Sequence, residues 1–124
     1  MGANVAGIFD YFGDAKVYWL GRDIEKVKKT IPRIVKSVKA DAIAKNLIPA
    51  DFSMLVQCVS ESDIVFESSS DNIKVKTDIA RQVGAAIQPH AISCTGTSGL
   101  SITEIASCYP WGLRGQFFGV HMFN

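Results

Sequence analysis

The chain has 124 residues, enough for one domain with a sizeable core and too few for a two-domain enzyme. Hydrophobic residues make up 48% and charged residues 20%, a balance that excludes a disordered chain and places it among soluble globular proteins. A formal net charge of +1 gives no global reason to expect a nucleic acid or an anionic membrane as partner, so any charge argument has to be local.

From Gly2 to Phe12 the apolar residues Val5, Ala6, Ile8 and Phe9 predict a short helix, with Gly13-Asp14 as its stop. Lys16-Val-Tyr-Trp-Leu20 is short, β-branched and aromatic, and bounded by glycines, which predicts a buried strand. Asp23 is placed to cap a helix carrying Val27, Ile31, Ile34 and Val38, and Pro32 within it predicts a kink. Leu47-Ile48 before Pro49 predicts a small strand, and Asp51 a cap for a helix with Phe52, Leu55, Val56 and Val59 that ends near Ser60. Asp63–Glu67 reads as a strand, Asn72–Ile87 as a helix, His90–Cys94 as a strand, Thr103–Cys108 as a short helix and Gln116–Val120 as a last strand.

Strands that alternate with helices imply crossovers and a mainly parallel sheet with both faces covered. The order matches strands two to six of a doubly wound, Rossmann-like α/β fold, without the strand that should precede the first helix. In the order 3-2-1-4-5-6 that strand is the central one, so the expectation is a single truncated dinucleotide-binding domain over 1–124. Its flanking edges would then either close up or recruit pairing from another molecule, making a homo-oligomer.

No apolar run approaches the roughly 18 to 20 residues of a transmembrane helix, and no signal peptide is visible, so the expected location is the cytoplasm without membrane contact. Cys58, Cys94 and Cys108 are an odd set whose spacing suits neither a disulfide framework nor zinc, and the expectation is buried thiols and no metal.

Three stretches carry a family resemblance. Thr95-Gly-Thr-Ser-Gly-Leu-Ser-Ile-Thr-Glu-Ile-Ala106 resembles the S-N-T-S-S-L-x-I-x-E-I-A stretch of the 3-hydroxyacyl-CoA dehydrogenase family. Phe118-Gly-Val-His-Met-Phe-Asn124 is similar to its I-G-x-H-F-F-N-P, and Asp63-Ile-Val-Phe-Glu-Ser-Ser-Ser-Asp-Asn-Ile-Lys-Val-Lys76 to its D-L-V-I-E-A-x-x-E-x-L-x-x-K. In register with these, Met1-Gly2 resembles the end of the G-x-G-x-M-G fingerprint, whose earlier glycines would lie upstream.

The resemblance implies oxidation of 3-hydroxyacyl-CoA to 3-oxoacyl-CoA with NAD, in fatty acid metabolism. It implies a catalytic His121, a Ser98 that hydrogen-bonds substrate and nicotinamide, and an Asn124 that orients the substrate carbonyl. It further implies cofactor contacts at Gly2, Asp71 and Lys76, and a CoA contact at Ser37. Gly96 departs from the pattern, standing where the family has asparagine, and Asp71 replaces a longer glutamate. The glutamate that orients the family's histidine would fall beyond Asn124, as would the helical domain that completes the acyl-CoA cleft.

At the end of the second strand such folds offer an acid to the NAD ribose, but here stand Gly21 and Arg22, so NADP is an alternative and an ordinary turn with a solvated arginine is the plainer reading. Between Arg22 and Lys45 eight basic residues face three acidic ones, which reads either as a surface for CoA phosphate or as the solvated face of a helix. Two functional readings follow, an oxidoreductase working with a separate C-terminal domain, and a non-catalytic nucleotide-binding or oligomerising remnant, the latter favoured for this chain alone. A polyanion-binding module is the weakest reading, since no nucleic-acid signature accompanies the basic helix.

Overall fold

The computed structural model describes residues 2–37 and 46–122. They belong to two compact units, Met1–Leu55 and Val56–Asn124.

In the first unit, helix α1 (Gly2–Tyr11) leads to strand β1 (Val17–Gly21), helix α2 (Ile24–Ser37) and strand β2 (Leu47–Asp51). The helix α1 stops where expected: a Cβ on Gly13 would lie 2.7 Å from the Phe9 carbonyl oxygen, and Asp14 takes the left-handed conformation at φ 46°. The cap on α2 is Asp23, whose Oδ1 accepts the backbone N–H of Glu25 (2.9 Å) and Lys26 (3.2 Å). Pro32 lies within the continuous helix α2 on its exposed side, while Ile34 is fully buried. Strand β2 runs longer than Leu47-Ile48, pairing in parallel with β1 from Val17↔Leu47 to Gly21↔Asp51. Pro49 is tolerated because β2 has a neighbour on one side only. Ala6, Ile34 and Leu47 form the core, with Trp19 packed against it and its indole N–H donated to Thr30 Oγ1 at 2.7 Å.

In the second unit, helix α3 (Leu55–Ser60) precedes strand β3 (Ile64–Glu67), helix α4 (Ile73–Ala86), strand β4 (Ile92–Thr95), helix α5 (Ile102–Ala106) and strand β5 (Phe117–Gly119). A 3-10 turn over Trp111–Gln116, which the sequence pattern does not announce, delivers the chain to β5. The strands are parallel in the order β3-β4-β5. Asn72 and Ser101 cap α4 and α5 with their side chains, accepting from Val75 N and Glu104 N.

One sheet face buries Ser93, Thr95 and Phe117. Tyr109 packs there, its ring 4.9 Å from that of Phe117 and its hydroxyl 2.6 Å from Ser93 Oγ. Gly84 lets α4 approach this region, since a Cβ there would sit 3.2 Å from Tyr109 Cα and Pro110 Cδ. The opposite face shows Ile64, Ile92 and Phe118, each nearly half exposed, so the expected cover on both faces is incomplete among the described residues.

The described strands form two sheets, β1-β2 in the first unit and β3-β4-β5 in the second. Cys58 and Cys94 are buried as expected, while Cys108 is half-buried. No helix among the described residues is long and apolar enough to cross a membrane.

Candidate cofactor site at the strand ends

Charge withdrawn from water is costly unless it is paired, and β3 ends in Glu67, whose side chain is 11% exposed. Its carboxylate gathers the turn around it. Oε1 accepts the backbone N–H of Ser69 at 2.5 Å, and Oε2 accepts the Thr95 hydroxyl at 2.5 Å. Lys76, one turn into α4 and 1% exposed, donates to Oε1 (3.0 Å), Oε2 (2.9 Å) and the Ser69 carbonyl (3.3 Å). Burial pushes the Glu67 carboxyl up, but the hydrogen bonds from Ser69, Thr95 and Lys76 outweigh it and hold the group below its ordinary value.

The same clamp shapes the adjoining loops. Gly96 N–H donates to the Glu67 carbonyl at 2.9 Å, tying the ends of β3 and β4 together. The Thr97 hydroxyl donates to Asp71 and accepts from Leu100 N–H at 3.3 Å, while Asp71 Oδ1 also lies 3.9 Å from Lys76 Nζ. A Cβ on Gly99 would be 3.9 Å from Asp71 Oδ2, which places the exposed Ser98-Gly99 stretch beside that carboxylate. Glu67, Thr95 and Thr97 were not singled out by sequence reasoning; the signal available was an acid closing an apolar strand nine residues before a lysine.

Strand β5 continues past Gly119 through Val120 N–H, which donates to the Thr95 carbonyl at 2.9 Å. His121 is exposed, two residues beyond the end of β5, and Ser98 stands three residues beyond the end of β4. The two therefore leave adjacent parallel strands at the same carboxyl edge. Gly119 packs closely there, since a Cβ on it would meet Ile102 Cδ1 of α5 at 2.8 Å and that side chain would have to shift. Asn124 lies outside the described residues.

In the first unit Gly2 opens α1, Gly21 closes β1, the exposed Arg22 follows, and Ser37 closes α2. A Cβ on Gly21 would come within 2.6 Å of Val27 Cγ2.

Burial and the nearby Glu67 charge push the Cys94 thiol up to about 11, and burial pushes Tyr109 up to about 12. No group of His, Cys, Asp and Glu suited to a metal occurs among the described residues.

Residues 1–124 match the family model for the 3-hydroxyacyl-CoA dehydrogenase, NAD binding domain. The chain belongs to this family. Relatives of the dehydrogenase domain include a probable 3-hydroxybutyryl-CoA dehydrogenase of Deinococcus radiodurans, 28% identical, covering 100% of this chain and 46% of that protein. The human mitochondrial hydroxyacyl-coenzyme A dehydrogenase is 27% identical over 82% of this chain and 35% of its own length. Among solved structures, 3-hydroxybutyryl-CoA dehydrogenase from Escherichia coli K12 superposes with a TM-score of 0.78 at 27% identity, covering 100% of this chain and 28% of that one. This NAD-binding domain thus spans less than half the length of the relatives it matches.

The residues present fit a dinucleotide unevenly. The loops after β3 and β4 offer a partly exposed carboxylate at Asp71 and an exposed hydroxyl at Ser98, both held by the Glu67 clamp and its Thr97 extension. The end of β1 offers no acid for a ribose diol.

Proposed function

We propose that this domain belongs to an enzyme that oxidises 3-hydroxyacyl-CoA to 3-oxoacyl-CoA, and that residues 71, 98 and 121 mark its chemical end. The observation that carries the reading is the exit of Ser98 and His121 from neighbouring parallel strands at one carboxyl edge, where doubly wound folds bind their ligands.

NAD, when bound, supplies the acceptor for the hydride that leaves the substrate's C3. His121 takes the proton of the 3-hydroxyl, a task suited to imidazole, whose charge changes near neutral pH. The Ser98 hydroxyl holds the same oxygen in place and Asn124 steadies the carbonyl of the thioester. Asp71 takes the ribose hydroxyls on the nicotinamide side. Lys76 acts indirectly, because its ammonium is buried against Glu67 and Ser69 and so fixes the turn that presents Asp71. Gly96, where the family carries asparagine, leaves Ser98 as the polar side chain available from this loop tip.

The basic face of α2 and Ser37 belong to the acyl-CoA side of the proposal, through charge attraction to the nucleotide phosphates. A C-terminal family domain completes the acyl cleft, and catalysis is proposed for the whole protein.

Calorimetric titration with NAD+ and an assay with acetoacetyl-CoA and NADH test the reading, the assay run with a family C-terminal domain supplied. We expect saturable NAD+ binding, and turnover that falls by about 10²-fold or more in His121→Gln. Absence of both binding and turnover overturns the proposal, and turnover unaffected by His121→Gln removes the histidine from it.

A further inference from the structure

The adenosine ribose is where a doubly wound fold distinguishes NAD from its 2′-phosphorylated form. A carboxylate at the end of the second strand takes the ribose hydroxyls and repels a 2′-phosphate, whereas a nearby arginine accommodates it. In this chain the corresponding strand is β1, which follows the first helix and ends at Gly21.

We propose that the end of β1 accepts a 2′-phosphate through Arg22, so that this domain binds NADP at least as tightly as NAD. The inference rests on the dinucleotide binding proposed above and concerns its specificity.

Two observations carry it. The first is that β1 ends on Gly21, with no carboxylate at that position. Gly21 has no side chain, and the packing resists giving it one, since its Cβ would meet Val27 Cγ2, a buried and β-branched neighbour, at 2.6 Å. The next acid, Asp23, is committed through Oδ1 to two backbone N–H groups as the cap of α2. Glu25 after it is paired with Lys28 at 2.9 Å.

The second observation is what replaces the acid. Arg22 is exposed directly after the strand, with a planar guanidinium whose donors match phosphate oxygens in pairs. Lys26, exposed in the first turn of α2, adds a second cation. Where such folds place an acid, this chain has a glycine followed by an exposed cation.

The test is calorimetric titration of the 124-residue chain with NAD+ and NADP+ at low salt, for wild type and Arg22→Ala, with circular dichroism to establish that the variant is folded. NADP+ is expected to bind as tightly as NAD+ or more tightly. Arg22→Ala is expected to weaken NADP+ by about tenfold, the loss of one charge-assisted phosphate contact, and NAD+ by less than about twofold. NAD+ binding more tightly than NADP+, or Arg22→Ala weakening both nucleotides alike, overturns this inference and leaves dinucleotide binding intact. Binding of neither nucleotide overturns both.

Discussion

At 1% exposure the Lys76 side chain is surrounded by three acceptors, and this arithmetic governs what its replacement does. Lys76→Met leaves the Glu67 carboxylate buried without its partner, and we expect a loss of about 3 to 5 kcal/mol in urea unfolding. Combining it with Glu67→Gln should recover part of that loss; a double mutant whose cost equals the sum of the singles would show that the pair is not coupled. Acid acts on the same carboxyl. Glu67 is held below its ordinary value of 4.5 in the folded chain, so the unfolded chain takes up the proton first. Its contribution is complete above that value and is lost as pH falls through the lowered one. The gap in urea midpoint between wild type and Glu67→Gln should therefore be widest at pH 7 and narrow below about pH 4, and a gap that stays constant would refute the assignment. The motif match named Lys76 but not the clamp, since Glu67 and Thr95 stand 28 positions apart and meet only through strand pairing.

Elements were legible wherever their signals are local. Asp23 and Asp51 were readable as caps from the residue type ahead of an apolar period, and each accepts a backbone N–H as expected, while Asn72 caps α4 in the same way. Removing one has a predictable size: Asn72→Ala should destabilise by about 1 kcal/mol, seen as a lower thermal midpoint with near-native far-ultraviolet dichroism. Gly84 lies mid-helix, where alanine would ordinarily help, but the contacts at 3.2 Å to Tyr109 Cα and Pro110 Cδ reverse the argument for anything larger. Gly84→Val should cost about 1 to 3 kcal/mol by overpacking, and a variant as stable as wild type would mean that this approach of α4 is looser than drawn. One miss was also local. The pattern stopped β2 before Pro49, whereas its length past that residue depends on β1 beside it.

For the molecule as a whole, the division of the strands into β1-β2 and β3-β4-β5 leaves β1 and β3 each with one strand neighbour among those described. Unpaired strand edges are adhesive. We expect the 124-residue chain to self-associate at micromolar concentration in size-exclusion chromatography with light scattering, and a strictly monomeric chain with a cooperative melt would count against it.

The order of elements, the parallel sense of the strands and the family motifs at Ser98 and His121 were all determined by the sequence alone. Periodicity, caps and crossover length are properties of neighbouring residues. Tertiary structure alone decided that the described strands form two sheets, that Lys76 is buried in a carboxylate clamp, and that a Cβ at Gly21 would meet Val27. Those outcomes depend on which distant groups share a space from which water is excluded, and no pattern along one stretch of chain records that.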